Sequence, residues 1–224
     1  EPTNITLSNA TIAENSAVGA TVGSLGAIDP DSGDTFAYTL VSGDGDDDNA
    51  SFSLSGTNLL TGEPLNYESK NLYKIRIRVT DGGGLYYEKA FEIQITDVNE
   101  PPVADATGLS VNEDETLTGT LTGSDPEGQA LTFMLVTPTA HSMSMTVDAD
   151  GNFSYTPYGN YSGADEFTFR VTDGTSSSEI VTVTINVLPV NDEPTNITLS
   201  NATIAENSSV GATVGSLGAI DPDS

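Results

Sequence analysis

The residues best able to do chemistry in this chain are carboxylates, and they gather between the apolar runs rather than along them. In the first hundred residues these are Glu14, Asp29, Asp31, Asp81, Asp97 and Glu100, with Asn99 between the last two. The next ninety repeat the pattern with Glu113, Asp125, Glu127, Asp173, Asn191 and Asp192, and the last thirty-two add Glu206, Asp221 and Asp223. Hard oxygen ligands converging from several loops are what Ca²⁺ requires, about six to eight oxygens at roughly 2.3–2.6 Å. The charge balance points the same way. Asp and Glu number 33 against 6 Lys and Arg, a formal net charge of -27, so something other than protein cations must neutralise the loops. Five of those cations (Lys70, Lys74, Arg76, Arg78, Lys89) lie close together, and Arg170 is the sixth. So acidic a chain makes a poor partner for nucleic acid or anionic membrane, both of which need clustered cations.

Other chemistries fare worse. With no cysteine, disulfides, zinc–thiolate sites and thiol nucleophiles are excluded. His141 is the only histidine, flanked by Ala140 and Ser142 with no base assembled around it, and a loop or edge position is expected for it. The pair Glu113 and Glu115 lacks the aromatic cleft a glycosidase needs, and Trp is absent; the chain reads as no enzyme. Asp44, Asp46 and Asp48 imitate the start of an EF-hand loop, but the twelfth position is Ser55 and no helix flanks it, so a solvated, mobile loop is expected. No apolar run reaches 18 residues, so no membrane-spanning helix is expected.

The elements that must position these groups are strands. Tyr73, Ile75, Ile77 and Val79 alternate with polar neighbours, as do Phe91, Ile93 and Ile95, and the run from Ile180 to Val187. Asp150-Gly151-Asn152 marks a hairpin turn, and Asp81-Gly82 and Asp173-Gly174 mark the last hairpin of each half. Residues 193–224 repeat residues 1–32 with one difference, Ala17 against Ser209. A weaker repeat joins the halves: Ile12-Ala13-Glu14-Asn15 answers Val111-Asn112-Glu113-Asp114, and Asp29-Pro30-Asp31 answers Asp125-Pro126-Glu127. The organisation expected is domain A over 1–102, domain B over 103–192, and the first strands of a second A over 193–224, a window cut from a longer array. Each domain is expected to be an all-β, immunoglobulin-like antiparallel sandwich of about seven strands.

Residues 1–102 resemble a cadherin repeat of the kind found in bacterial surface proteins. The likeness is carried in order by Ala13-Glu14-Asn15, Asp29-Pro30-Asp31-Ser32-Gly33, Pro64-Leu65-Asn66-Tyr67-Glu68, Thr80-Asp81-Gly82 and Asp97-Val98-Asn99-Glu100-Pro101. Residues 103–192 resemble the cadherin-like repeats of large adhesins through Phe153–Pro157, Gly163–Phe167 and Val171–Gly174. The resemblance implies Ca²⁺ at the junctions. Glu14, Glu68, Asp97, Asn99 and Glu100 would serve the first, with Asp125, Glu127 and Asp173; Asn66 stands where the family usually has Asp, and Pro101 replaces the linker's second Asn. Glu113, Asn191, Asp192, Asp221 and Asp223 would serve the second. There Pro189 holds the position of Asp97 and only Asp165 could replace Glu68, implying fewer or weaker ions.

The function this implies is a calcium-stiffened structural and adhesive segment of a long bacterial surface or secreted protein, outside the cell. Its partners would be other copies of itself or neighbouring repeats. The alternative is a module that recognises cell-surface polysaccharide directly. Residues 193–224 hold only two candidate strands, Thr195–Leu199 and Thr213–Leu217, and are expected to pair with segments equivalent to 36–98, in the same chain beyond this window or in another chain.

Overall fold

Period-two alternation becomes sheet throughout the computed structural model, which describes every residue except Ser32 and Ser224. Ser32, inside the Asp29–Gly33 motif, therefore lies outside the described residues. The chain divides into two compact units, Glu1–Asn99 and Glu100–Ser224.

Unit 1 carries β1 (Asn4–Leu7), β2 (Thr11–Ala13), β3 (Thr21–Ile28), β4 (Phe36–Leu40), β5 (Phe52–Ser55), β6 (Asn58–Thr61), β7 (Leu72–Asp81) and β8 (Tyr86–Thr96). Two four-stranded sheets form, in the orders β1-β3-β6-β5 and β2-β8-β7-β4. The count exceeds seven because the opening stretch serves both sheets: β1 runs antiparallel to β3, and β2 then lies parallel to β8. The alternating face of β7 supplies Tyr73, Ile75, Ile77 and Val79 to a core that also holds Ile5, Leu25, Leu59, Ile93 and Ile95. Fully burying one such aliphatic side chain is worth about 1.5–3 kcal/mol.

Unit 2 carries β9 (Val103–Ala104), β10 (Gly108–Asn112), β11 (Leu117–Thr120), β12 (Gly123–Ser124), β13 (Thr132–Thr137), β14 (Ser142–Val147), β15 (Asn152–Pro157), β16 (Gly163–Thr172) and β17 (Val181–Leu188). The orders β10-β17-β16-β13 and β11-β15-β14 make the two faces, with the short β12-β9 pair beside them. Phe153, Tyr155, Phe167, Phe169, Val183, Ile185 and Val187 fill the core. Gly151, at φ 87°, makes the turn between β14 and β15 that the Asp-Gly-Asn signal marks.

The last segment has its first strand where expected and its second later than expected. Its strands are β18 (Asn196–Leu199) and β19 (Leu217–Ile220), which pair antiparallel with each other. Among the described residues they join no other sheet. Residues 213–216 are not strand, although their equivalents Thr21–Ser24 are. In unit 1 that stretch is paired with β6, while β1 pairs only with residues 25–28; in the last segment the β1-like pairing, over residues 217–220, is the one present among the described residues.

The acidic loop 44–49 is also not the free loop its composition suggests. Asp48 accepts from the Lys70 ammonium and the Lys74 N–H, the Asn49 side chain bridges Val41 and Arg76, and Arg76 donates to the Asp44 carbonyl. Lys70, just before β7, and the Arg76 guanidinium, together with backbone N–H groups of β7, hold it against the sheet.

Candidate metal centres

Two buried glutamates anchor the loops. Glu14 is 2% exposed; one carboxylate oxygen accepts the Tyr67 N–H and the other the Val98 N–H. Glu113 is 4% exposed and accepts the Val190 N–H. Each is positioned by the end of its strand and followed by a residue in the left-handed region, Asn15 at φ 56° and Asp114 at φ 61°, which tolerate it as short polar side chains do. The backbone therefore turns the same way in both units and delivers a carboxylate to the start of the exit segment.

Three clusters follow. In unit 1, carboxylate oxygens of Glu14, Glu68 and Asp97 lie within 4.8 Å of one another. The Asn66 amide donates to Glu68, and its oxygen caps the Ser69 N–H, so its oxygen serves its own turn. Also in unit 1, Asp29, Asp34 and Asp81 lie within the same distance of one another. Asp81 is fixed by the Gly83 and Leu85 N–H groups, both on one oxygen. Burial pushes its carboxyl up, but those N–H groups hold it below the ordinary aspartate value. In unit 2, Glu113, Asp192 and Asp223 gather, with the Asp192 N–H on Asp223 at 2.7 Å. Loss of water together with the charges of Asp114, Asp223, Glu113 and Asp221 pushes the Asp192 carboxyl up. A cation is what such a group lacks.

The remaining expected ligands sit as follows. Glu127 accepts the Glu100 N–H, and Asp125 accepts the Gln129 N–H. Asp173 accepts from the N–H groups of Thr175 and Ser176 and from the Ser176 hydroxyl, within its own turn. Asn99 ends unit 1 half-buried. The Asn191 amide donates to the Asp192 carbonyl, and Asp221 accepts the Asp223 N–H. Glu206 is exposed. Asp165 does not stand in for Glu68. Its buried carboxylate accepts the N–H groups of Ala140, His141 and Glu166 and the Tyr155 hydroxyl. Burial, then that contact with Asp165, pushes the Tyr155 phenol up. Asp165 ties the β13–β14 loop down, and His141 lies in that loop stacked on Tyr161 at 4.4 Å.

The donor set fits a calcium ion on an observation independent of any family. The buried oxygens Asp29 Oδ2, Asp125 Oδ2, Glu127 Oε2 and Asp192 Oδ2 have no hydrogen-bond partner. A buried charged oxygen left unpaired is costly unless it is paired with a cation or coordinates a metal.

Comparison with known proteins gives a likeness for each unit. Residues 8–96 match the cadherin domain, and residues 99–186 match the bacterial Ig domain. The first unit is thus similar to cadherin repeats and the second to bacterial Ig domains. Human cadherin-related family member 2 is 35% identical over 111 residues, covering 47% of this chain and 8% of that protein. Human cadherin-12 is 25% identical over 244 residues, covering 95% of this chain and 30% of that protein. The chain thus spans only a small part of these relatives. Among solved structures, extracellular cadherin domains 1–4 of protocadherin gamma B7 align with a TM-score of 0.62 at 19% identity, over 96% of this chain and 58% of theirs. Human protocadherin-24 EC1-2 aligns with a TM-score of 0.61 at 17% identity, over 80% and 94%. At those identities the likeness establishes the fold, tandem β-sandwiches of the cadherin-repeat kind. No helix among the described residues is long and apolar enough to cross a membrane.

Proposed function

We infer that this segment is an adhesive, extracellular repeat unit of a bacterial surface or secreted protein, stiffened by Ca²⁺ held in its loops and linker. The observation that carries it is the set of buried loop carboxylate oxygens without hydrogen-bond partners. Glu14 and Glu113 would hold ions through the oxygens they share with Glu68 and Asp97, and with Asp192 and Asp223. Calcium would supply charge neutralisation and a fixed coordination geometry. The protein's part is to hold the carboxylates together at a cost. Two carboxylates about 4 Å apart repel by roughly 1 kcal/mol in water and more where partly buried. Without the ion that repulsion favours spreading of the loops; with it the loops lock. Extracellular calcium modules bind with dissociation constants on the order of 10⁻⁴–10⁻³ M. At tenfold to hundredfold excess of ion, each site would add about 1.4–2.7 kcal/mol to the folded state. Self-association of repeats belongs to the same reading; one solved relative by fold is a protocadherin gammaB7 cis-dimer, a property of that protein.

The test is chelation. EDTA is expected to lower the melting temperature of the 224-residue chain and increase its radius of gyration, with both restored by millimolar calcium. Unchanged melting and scattering would remove calcium from the account.

A further inference from the structure

The outer face of the β10-β17-β16 sheet carries a depression away from every carboxylate cluster described above. Register sets six residues there in two rows across the three strands: Gly108, Thr184 and Glu166, then Ser110, Asn186 and Ala164. All six are exposed, while Val111, Ile185 and Asp165 between them turn inward, as a period of two requires. Gly108 and Ala164, at opposite ends of the two rows, contribute almost no side chain, so the floor is low. A cavity of about 650 Å³ opens over these rows, with Ala140 and His141 on its border. Small-molecule sites occupy roughly 300–1,000 Å³.

The border is fixed in place. The buried Asp165 carboxylate accepts the Ala140 and His141 N–H groups and lies 3.6 Å from His141 Nδ1, and the imidazole stacks nearly parallel on Tyr161. A flat ring is thus held beside the depression before any ligand arrives. By contrast, the side chains of Ser110, Thr184, Glu166 and Asn186 hydrogen-bond to nothing else among the described residues. They supply a carboxylate acceptor, an amide that both donates and accepts, and two hydroxyls.

That set selects among ligands. An apolar molecule would strip water from four polar groups and return no hydrogen bonds. An anion would meet Glu166, and Arg170, the only Lys or Arg in residues 100–224, lies outside the cavity. An extended peptide would find no free strand edge in the middle of the depression, because β17 is paired on both sides. A sugar ring matches, since each of its hydroxyls donates and accepts and its C–H face can lie on a small floor beside an aromatic ring.

We propose that this face of unit 2 binds a neutral hexose unit of a glycan, with Ser110, Thr184, Glu166 and Asn186 on its hydroxyls. The site lies wholly within unit 2 and uses no ion, so it stands apart from the calcium reading.

The experiment is a titration of the ¹⁵N-labelled 224-residue chain with neutral oligosaccharides of glucose, mannose and galactose, with dextran sulfate as the anionic control. At least one neutral oligosaccharide is expected to shift the amides of Ser110, Glu166, Thr184 and Asn186 saturably, and dextran sulfate to leave them in place. Asn186→Ala removes one polar partner, and Ala164→Leu fills the floor without removing any. Both positions are exposed, so the rest of the amide spectrum should be retained. Each variant is expected to weaken binding by about tenfold, the scale of a lost hydrogen bond or two. The proposal is overturned if no neutral oligosaccharide shifts these amides, if the shifts fall elsewhere on the chain, or if both variants bind as tightly as the parent. Equal shifts with dextran sulfate overturn the choice of a neutral ligand.

Discussion

Glu14 is both anchor and candidate ligand, and the two roles separate by substitution. Each of its oxygens satisfies a backbone N–H, Tyr67 on one side and Val98 on the other. A buried donor left without an acceptor costs roughly 1–3 kcal/mol. Glu14→Ala is therefore expected to destabilise calcium-free unit 1 by about 2 kcal/mol or more in urea unfolding, the relief of repulsion offsetting only part. Glu68→Ala, exposed in the same cluster, should change calcium-free stability by less than about 0.5 kcal/mol, yet weaken calcium binding. Equal effects would deny Glu14 its anchoring role. The pairing of Glu14 with Glu113 was legible from the repeat, because both follow the same strand and precede the same left-handed turn. Asp34 was not legible: only the fold of the turn before β4 brings it to Asp29 and Asp81. Asp165 misled for the converse reason. A carboxylate in a Gly-Ala-Asp-Glu run looks free to ligate, but the register puts it on the inner face of β16, where four hydrogen bonds consume it.

At the scale of the element, the chain contains its own control, since residues 1–32 and 193–224 differ at one position. Ile5 is fully buried while Ile197 is 76% exposed, and Leu25 is 5% exposed while Leu217 is 77%. The local contacts survive the change of surroundings. The Asn9 amide donates to the Thr11 and Val22 carbonyls, and the Asn201 amide to those of Thr203 and Val214. What is lost is pairing with strands distant in sequence: β2 has its parallel partner β8, and residues 203–205 have none and are not strand. Alternation specified which residues could be core, but membership of a strand needed the neighbour. An isolated two-stranded hairpin is marginal in water. Amide hydrogen exchange should therefore be fast across Asn196–Ile220 and slow across the matching residues 4–28. Comparable protection of the two copies would mean that the hairpin is held by contacts beyond its own pairing.

At the scale of the whole molecule the deciding quantity is the charge of -27, and two accounts of it make different predictions. If the carboxylates merely repel one another diffusely, any salt relieves them, because the Debye length falls to about 10 Å at 0.1 M. Sodium chloride would then raise stability as calcium chloride does at equal ionic strength. If the loops hold ions in fixed oxygen shells, coordination supplies what screening cannot. The buried oxygens of Asp125, Glu127 and Asp192 are shielded from bulk ions and gain little from a screening atmosphere. Magnesium separates the accounts further, since it demands a near-ideal octahedron at about 2.1 Å and sheds its water reluctantly. Calcium at about 5 mM, tenfold or so above the dissociation constants usual for extracellular modules, is therefore expected to raise the melting temperature of the 224-residue chain by several degrees. Sodium chloride of matched ionic strength should give a small part of that rise, and magnesium an intermediate one. Equal stabilisation by all three salts would make the acidic loops a matter of charge density alone and leave the carboxylate clusters without an ion to hold.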